Sequence, residues 1–227
     1  MPLSRRHLYC PEGRGELLRA LSRGKTSRRL PPGQKPIEAI LRWGIDHPGI
    51  TEELPEISRE EWRLTVDGEV ENPFTLDWEA FMELPQTESV SDFHCVEGWS
   101  VLDCRWRGVP FRALVERARP KPSARYAWFE CADGYTTSLP LEELTGDDVI
   151  LAHGLNGEDL PGPLGGPVRL VVPSKYAYKS PMWLTRIAFT AERRLGYWES
   201  GIYSDTADVW KNDRYRRRRS ALAPRQR

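Results

Sequence analysis

Residues 92–100, Asp92-Phe93-His94-Cys95-Val96-Glu97-Gly98-Trp99-Ser100, carry a cysteine where a strand-like run ends and a Glu-Gly turn follows at once. A thiol at the end of a strand can point into a cavity. The alternative interpretation is that Cys95 is a small buried hydrophobic residue. The other cysteines, Cys10, Cys104 and Cys131, form no C-x-x-C pair and lack the spacing of a structural zinc site.

Further strand-like runs lie on the C-terminal side of this segment. Apolar residues at helical spacing predict helices at 77–84 and 111–118, and Pro110 is well placed at the start of the second. Because the strand-like runs outnumber the helices, we predict an α+β fold of mixed, β-rich architecture. The predicted strands are 87–95, 126–131, 149–153, 168–172 and 183–189.

A β-hairpin is predicted upstream. Trp62, Leu64 and Val66 alternate with polar or charged residues, which is the period of a half-buried strand. Asp67-Gly68 then turns the chain toward Val70. We expect the hairpin to end at Asn72-Pro73.

Three regions differ in composition. Residues 1–30 are rich in Arg, Gly and Ser, and Pro31-Pro32-Gly33 follows them, so we interpret them as an N-terminal arm. Residues 31–213 form one predicted domain. Residues 214–227 contain seven arginines, four of them consecutive, which is typical of a solvated tail.

The charge balance and the hydropathy pattern exclude several classes of protein. Lys plus Arg equals Asp plus Glu, at 33 each, so no global basic field favours nucleic acid as a partner. No apolar run approaches the roughly 18 residues of a membrane span. Ser4-Arg5-Arg6 is similar to the start of an export signal, but no apolar segment follows from Tyr9 onward, so we predict a cytoplasmic protein.

Two later segments combine positive charge with apolar or aromatic residues. In 165–173, Arg169 leads an apolar run between two prolines, and a buried Arg must find an anion, either a structural carboxylate or a phosphate. In 175–183, cations, hydroxyls and rings alternate, as a flat anionic ligand requires. Nucleic acid can use such a loop too, but the neutral chain weakens that interpretation.

Together these motifs resemble the sulfite oxidase-like superfamily of molybdopterin-dependent oxidoreductases. The similarity extends over about residues 30–215 and is greatest to small single-domain members related to the molybdenum subunit of the periplasmic methionine sulfoxide reductase. It implies a sulfite oxidase-type molybdopterin-binding fold with molybdenum and molybdopterin as cofactors. The motifs are Asp92-Phe93-His94-Cys95, Gly98-Trp99-Ser100, Asp133-Gly134-Tyr135-Thr136-Thr137, Gly166-Pro167-Val168-Arg169, Tyr178-Lys179-Ser180 and Gly196-Tyr197-Trp198-Glu199.

The resemblance also implies roles for single residues. Cys95 falls on the metal-ligating cysteine, and a soft thiolate suits molybdenum. Tyr135 falls near an active-site tyrosine, whose phenol can hydrogen-bond to the substrate. Leu164 and Met182 depart from the family, because relatives usually carry His or Asn at the first position and Lys at the second. The residues implied in cofactor binding are Leu41, Arg42, Trp43, His94, Cys131, Asp133, Leu164, Arg169, Lys179, Ser180, Pro181 and Met182.

The implied function is oxygen-atom transfer to or from a small substrate, a sulfite-like anion or a sulfoxide. The chain has no C-x-x-C-H haem motif, so we expect a separate electron-transfer partner. Two alternatives stay open. One is a non-catalytic molybdopterin-fold binding protein, for which Leu164 and Met182 argue. The other is a cysteine hydrolase with Cys95 as the nucleophile and His153 as the base.

The arginine-rich tail is expected to be dispensable, because adjacent like charges repel one another and rarely pack. Truncation after Tyr215 should leave the molybdenum and pterin content of the purified protein unchanged. Elemental analysis and pterin fluorescence measure both quantities. Loss of the cofactor on truncation would contradict the expectation.

Overall fold

The computed structural model describes residues 30–216. The predicted N-terminal arm, apart from Leu30, and the predicted tail beyond Arg216 lie outside these residues. The described chain forms two β-sheets with short helices between the strands, so the predicted β-rich α+β class is confirmed.

The first sheet contains six strands and is built around one long central strand, β5. Its order is β1-β5-β8-β10; β4 also pairs with β5, and β9 pairs with β8. All pairs are antiparallel except β1 with β5. The strands are β1 Lys35–Pro36, β4 Thr87–His94, β5 Trp99–Pro110, β8 Ile150–Leu155, β9 Glu158–Asp159 and β10 Arg169–Val171.

The second sheet contains five strands in the order β3-β2-β11-β6-β7. β2 and β11 run parallel, and the other neighbours are antiparallel. Its strands are β2 Leu64–Gly68, β3 Phe74–Leu76, β6 Tyr126–Cys131, β7 Thr136–Pro140 and β11 Leu184–Thr190.

Helices in the described chain are short, and none is long and apolar enough to cross a membrane. Asp77 caps the first by accepting a hydrogen bond from the Ala80 amide. Two 3-10 turns occur as well. The helices are α1 Trp78–Met82, α2 Phe111–Ala118, α3 Leu141–Leu144 and α4 Tyr197–Ser200, and the 3-10 turns are Gly162–Leu164 and Ala177–Lys179.

The main core lies between the two sheets. Leu151 and Leu170 of the first sheet belong to the same buried cluster as Phe129 and Ile187 of the second, and Phe111 of α2 joins them. A second cluster, on the first sheet, includes Cys104 and Trp106 of β5. The first sheet is therefore covered on both faces, which leaves its strand ends as the places where side chains can reach a cavity.

The sequence-based prediction of the elements is corrected at three places. Leu64 pairs with Leu76, so the hairpin exists, but its second strand begins after Asn72-Pro73 instead of ending there. Gly68 is still in β2, opposite Phe189 of β11, and the turn comes later. Strands β5 and β7 were not predicted.

The close contact between β5 and β8, the two central strands of the first sheet, can be tested at Gly108. A Cβ atom there would lie 2.1 Å from the Leu151 carbonyl oxygen, which is backbone and cannot move alone. Gly108→Ala should therefore lower the free energy of unfolding by about 1–3 kcal/mol or more. Gly162→Ala is the matched control, since nothing lies within 4 Å of its added Cβ. Equal thermal unfolding temperatures for the two variants would contradict this account.

Candidate active site

A cavity of about 240 Å³ lies beside Cys95, at the end of β4. The chain also forms a larger groove, of about 720 Å³, which none of the predicted site residues lines. The smaller cavity collects side chains from segments that are distant in the sequence. The predicted site residues that line it are Leu41, Trp43, Cys95, Asp133, Tyr135, Leu164, Arg169, Ser180, Pro181 and Met182.

Residues from both ends of the described chain hold the turn that carries Cys95. The Gln34 amide donates to the Cys95 carbonyl oxygen at 3.0 Å. Arg214 donates to the Val96 carbonyl oxygen at 2.6 Å and to that of Gly33 at 3.0 Å. Gly98 closes the turn with φ +105°, a conformation that favours glycine. The turn is therefore fixed by tertiary hydrogen bonds as well as by its own.

His94 does not line the cavity, but its ring is hydrogen-bonded to residues that hold this turn. Its Nδ1 lies 2.8 Å from the Ser100 hydroxyl, which donates in turn to the Gln34 side-chain oxygen at 2.9 Å. Because the Ser100 proton is given to Gln34, His94 Nδ1 must be the donor in its pair. Burial lowers the pKa of His94, which favours the neutral ring.

The Cys95 thiol is buried in the cavity wall. Its Sγ lies 3.9 Å from Glu97 Oε2, the acceptor of its proton. Burial raises the pKa of Cys95 to about 12, and the Glu97 carboxylate adds to the rise. A thiol in this state is a poor nucleophile at neutral pH, and a metal ion would have to displace its proton to use it as a ligand.

Arg169 supplies a buried positive charge to the lining of the same cavity. Its guanidinium donates to the carbonyl oxygens of Leu164 and Ser180, both at 2.9 Å, and lies 5.0 Å from the ring centre of Phe93. Within residues 30–216 no carboxylate pairs with it, and burial lowers the pKa of Arg169 to about 10. A buried cation compensated only by dipoles and rings fits an anionic ligand such as the pterin phosphate.

Tyr135 lines the cavity with its hydroxyl already engaged. The hydroxyl donates to the Tyr178 carbonyl oxygen at 2.6 Å. Burial raises the pKa of Tyr135 well above its usual value, so it stays protonated. The phenol can therefore accept a hydrogen bond from a ligand, but its own proton is committed to the backbone.

Three other predicted residues lie outside the cavity lining, like His94. The exposed Arg42 side chain pairs with Asp46 at 2.8 Å. Cys131 is a buried residue of the main core, and burial raises the pKa of its thiol well above the usual value. Lys179 is fully buried, and its ammonium contacts Glu199 at 2.5 Å instead of lining the cavity.

The cavity also has walls that the sequence did not predict. His47 stacks on Trp43, with ring centres 4.4 Å apart, and contacts Glu97 at 2.6 Å. Trp198 and Tyr203 line another side, 5.3 Å apart. Trp198 belongs to a motif quoted for the resemblance, and that membership was the signal available for it. His47 and Tyr203 lie in irregular segments with no periodic pattern.

The hydrolase alternative requires His153 near Cys95. Instead His153 Nε2 donates to the Gln86 side-chain oxygen at 2.9 Å, and the ring packs edge-on against Trp78 and Phe81. It does not line the cavity that contains Cys95. The geometry therefore offers Cys95 no histidine base at this position.

Comparison with known families agrees with the site. The model of the oxidoreductase molybdopterin binding domain matches residues 51–198, which is more than half of the chain. The chain belongs to this family and is a sulfite oxidase-like, molybdopterin-dependent oxidoreductase. The expected family, fold and molybdenum–molybdopterin cofactor are thereby confirmed.

Individual relatives differ in length. The chain is 36% identical to the uncharacterized oxidoreductase YuiH of Bacillus subtilis over 83% of its own length and 93% of that protein. It is 30% identical to the catalytic subunit MsrP of the protein-methionine-sulfoxide reductase of Pseudomonas syringae, over 82% of this chain and 62% of the relative.

Two further similarities cover less of the known protein. The putative protein-methionine-sulfoxide reductase subunit YedZ1 of Azospira oryzae is 32% identical over 67% of this chain and 58% of its own length. The sulfane dehydrogenase SoxCD of Paracoccus pantotrophus superposes with a TM-score of 0.58 and 28% identity, over 64% of this chain and 41% of the solved one. The chain thus spans less than two thirds of the length of MsrP, YedZ1 and the solved SoxCD chain.

Arg169→Ala should reduce cofactor retention, because an anion facing the empty position would lose its buried counter-charge. The cost is about 2–5 kcal/mol by analogy with desolvated charge pairs at interfaces. Arg112→Ala, which removes an exposed partner of Asp147, is the control and should keep full loading. Pterin fluorescence after denaturation measures the loaded fraction. Full loading of the Arg169 variant would make this residue purely structural.

Proposed function

We propose that the chain catalyses oxygen-atom transfer at a molybdenum–molybdopterin cofactor with Cys95 as the protein's ligand to the metal. The observation that carries the proposal is that Cys95 and Arg169 line one cavity, and that no carboxylate of residues 30–216 pairs with Arg169. A soft sulfur donor and a buried cation are the two groups that a metal–dithiolene centre with a phosphate tail requires.

Two parts of the site would hold the phosphate of the cofactor. Arg169 would compensate the phosphate charge, and the loop around Ser180 would surround the phosphate with backbone groups. Ser180 is constrained for this task, since its hydroxyl accepts from the Val172 amide at 3.0 Å and its carbonyl accepts from Arg169. When bound, the molybdenum–molybdopterin group supplies the two-electron redox chemistry that oxygen-atom transfer needs.

Leu164 and Met182, the two residues that depart from the family pattern, affect the packing around the cofactor more than the compensation of its phosphate charge. Leu164 contributes its carbonyl oxygen to Arg169, which any residue could do. Met182 faces Gly165, where an added Cβ would lie 2.6 Å from the Met182 Cβ atom. Both side chains also line the cavity, so they would contact the cofactor through apolar surface. This favours a working site over a scaffold that has lost the cofactor.

The substrate we propose is a small oxo-compound of sulfur, a sulfoxide or a sulfite-like anion. Two of the relatives named above act on methionine sulfoxide by name. The cavity lining includes the rings of Trp43, Trp198 and Tyr203, which suit an apolar thioether group. Tyr135 would contact the substrate through its ring, because its proton is given to the Tyr178 carbonyl oxygen and a sulfoxide or sulfite anion has no proton to donate to the phenol oxygen.

Electrons would come from a separate partner, as the relatives named as subunits suggest. Reduction of a sulfoxide to a sulfide and water consumes one electron pair and two protons, and the partner would deliver the electron pair to the bound cofactor. We include a cytoplasmic location in the proposal. The free thiols of Cys95, Cys104 and Cys131 agree with a reducing compartment.

Cys95→Ser should remove the protein's sulfur from the molybdenum coordination shell and abolish most turnover, because a hard hydroxyl replaces a soft thiolate. X-ray absorption at the metal counts the sulfur ligands directly. Cys104→Ser is the matched control, since Cys104 is equally buried but belongs to the second core cluster. It should lower stability and leave the sulfur count unchanged.

Two results would contradict the proposal. One is a wild-type protein that carries stoichiometric zinc and no pterin after expression in a host that makes molybdopterin. The other is a Cys95→Ser variant with an unchanged sulfur count and unchanged turnover. A lower count in the Cys104 variant alone would transfer the ligand role to that residue.

A further inference from the structure

A fully buried ion pair lies directly behind the loop that borders the cavity. The Lys179 ammonium contacts Glu199 Oε1 at 2.5 Å and donates to the Ser138 carbonyl oxygen at 2.9 Å. Neither side chain of the ion pair is exposed. Thr137 Oγ1 donates to the same Glu199 oxygen, so this oxygen serves two donors. The pair thus connects the 3-10 turn Ala177–Lys179 to α4 and β7.

The residues on either side of Lys179 receive the two polar groups of the site. The Tyr178 carbonyl oxygen accepts from the Tyr135 hydroxyl at 2.6 Å, and the Ser180 carbonyl oxygen accepts from Arg169 at 2.9 Å. Any shift of the loop would move both acceptors. Lys179 is the residue between them, and its side chain is the loop's charged attachment to the protein interior.

We propose that Glu199 is a positioning residue of the active site: through Lys179 it fixes the loop whose backbone orients Tyr135 and Arg169 toward the cofactor. This rests on the proposed function of the cavity. It also gives Lys179 a role different from the direct cofactor contact that the family resemblance implies. Glu199 ends the Gly196-Tyr197-Trp198-Glu199 motif, of which Trp198 lines the cavity.

Because the Lys179–Glu199 ion pair is buried, it constrains the geometry of the loop more than it contributes to the free energy of unfolding. Desolvating two charges offsets most of their attraction, so a buried ion pair adds little net stability compared with apolar residues of similar volume. Its bonds are directional, however, and fix one arrangement of the groups they join. Glu199 Oε2 has no hydrogen-bond partner within the described chain. Asp205, 3.8 Å from the ammonium, is also paired with Arg193.

Hydrogen exchange on the purified full-length protein tests the attachment directly. The Lys179 and Ser180 amides donate to the Tyr176 and Ala177 carbonyl oxygens within the 3-10 turn. In Glu199→Gln these amides should exchange about ten-fold faster or more, because the turn opens locally without its charged partner. The amide of Phe129, in the centre of β6, should change little. Unchanged exchange at the turn would overturn the proposal.

Pterin content is measured in the same samples. Glu199→Gln should release pterin on dilution several-fold faster than wild type, a rough expectation for a loosened binding loop. Lys175→Met is the matched control: Lys175 is also buried and paired with a carboxylate, that of Glu143 at 2.7 Å, but flanks neither acceptor. It should release pterin as wild type does. Wild-type protein without pterin would contradict the proposed function. The hydrogen-exchange pattern of the turn tests the positioning role separately.

A double variant separates positioning from folding. Lys179→Met combined with Glu199→Leu replaces the ion pair by apolar residues and should recover the thermal unfolding temperature of wild type. The exchange of the turn and the release of pterin should stay faster than in wild type, because apolar contacts do not fix one loop geometry. Recovery of wild-type hydrogen exchange at the turn and of wild-type pterin release would show that the ion pair is merely structural. This variant also replaces Glu199→Gln if the single variant does not fold.

Discussion

The buried guanidinium of Arg169 is the constraint on which the site depends. Desolvating such a cation costs on the order of several kcal/mol, and the partners that Arg169 has in the described part of the chain are all neutral. The carbonyl oxygens of Leu164 and Ser180 accept its protons, and the rings of Phe93 and Trp106 lie beneath it. These groups come from separate segments of the chain. The need to compensate one charge therefore brings together the strands and loops that form the cavity.

Much of the fold was predictable, because strong local patterns agree with burial. The six-residue strand β6 and the helix α2 begin and end where the sequence indicates. The central strand β5 was missed because its alternation is interrupted at Asp103, which has φ 54° at a shift in the pairing with β4. In β7 the residues Thr137, Ser138 and Leu139 are all buried, so no alternation exists to be read.

The sequence predicted which residues line the site better than it predicted where their side chains point. The position of Cys95 after a strand and the charge of Arg169 in an apolar run both indicate groups that reach a cavity. The loop around Lys179 gives no such information, since neighbouring side chains of a 3-10 turn point in different directions. Ser180 borders the cavity while Lys179 faces the interior, and only the fold decides between them.

The Cys95 turn receives hydrogen bonds from Gln34 and from Arg214, which are 180 residues apart in the chain. Chains emerge from the ribosome from the N-terminus onward, and domains fold as units during or after synthesis. The last contact that shapes this turn cannot form until residue 214 has been made. A nascent chain that stops short of residue 214 therefore carries an incomplete pocket around the thiol.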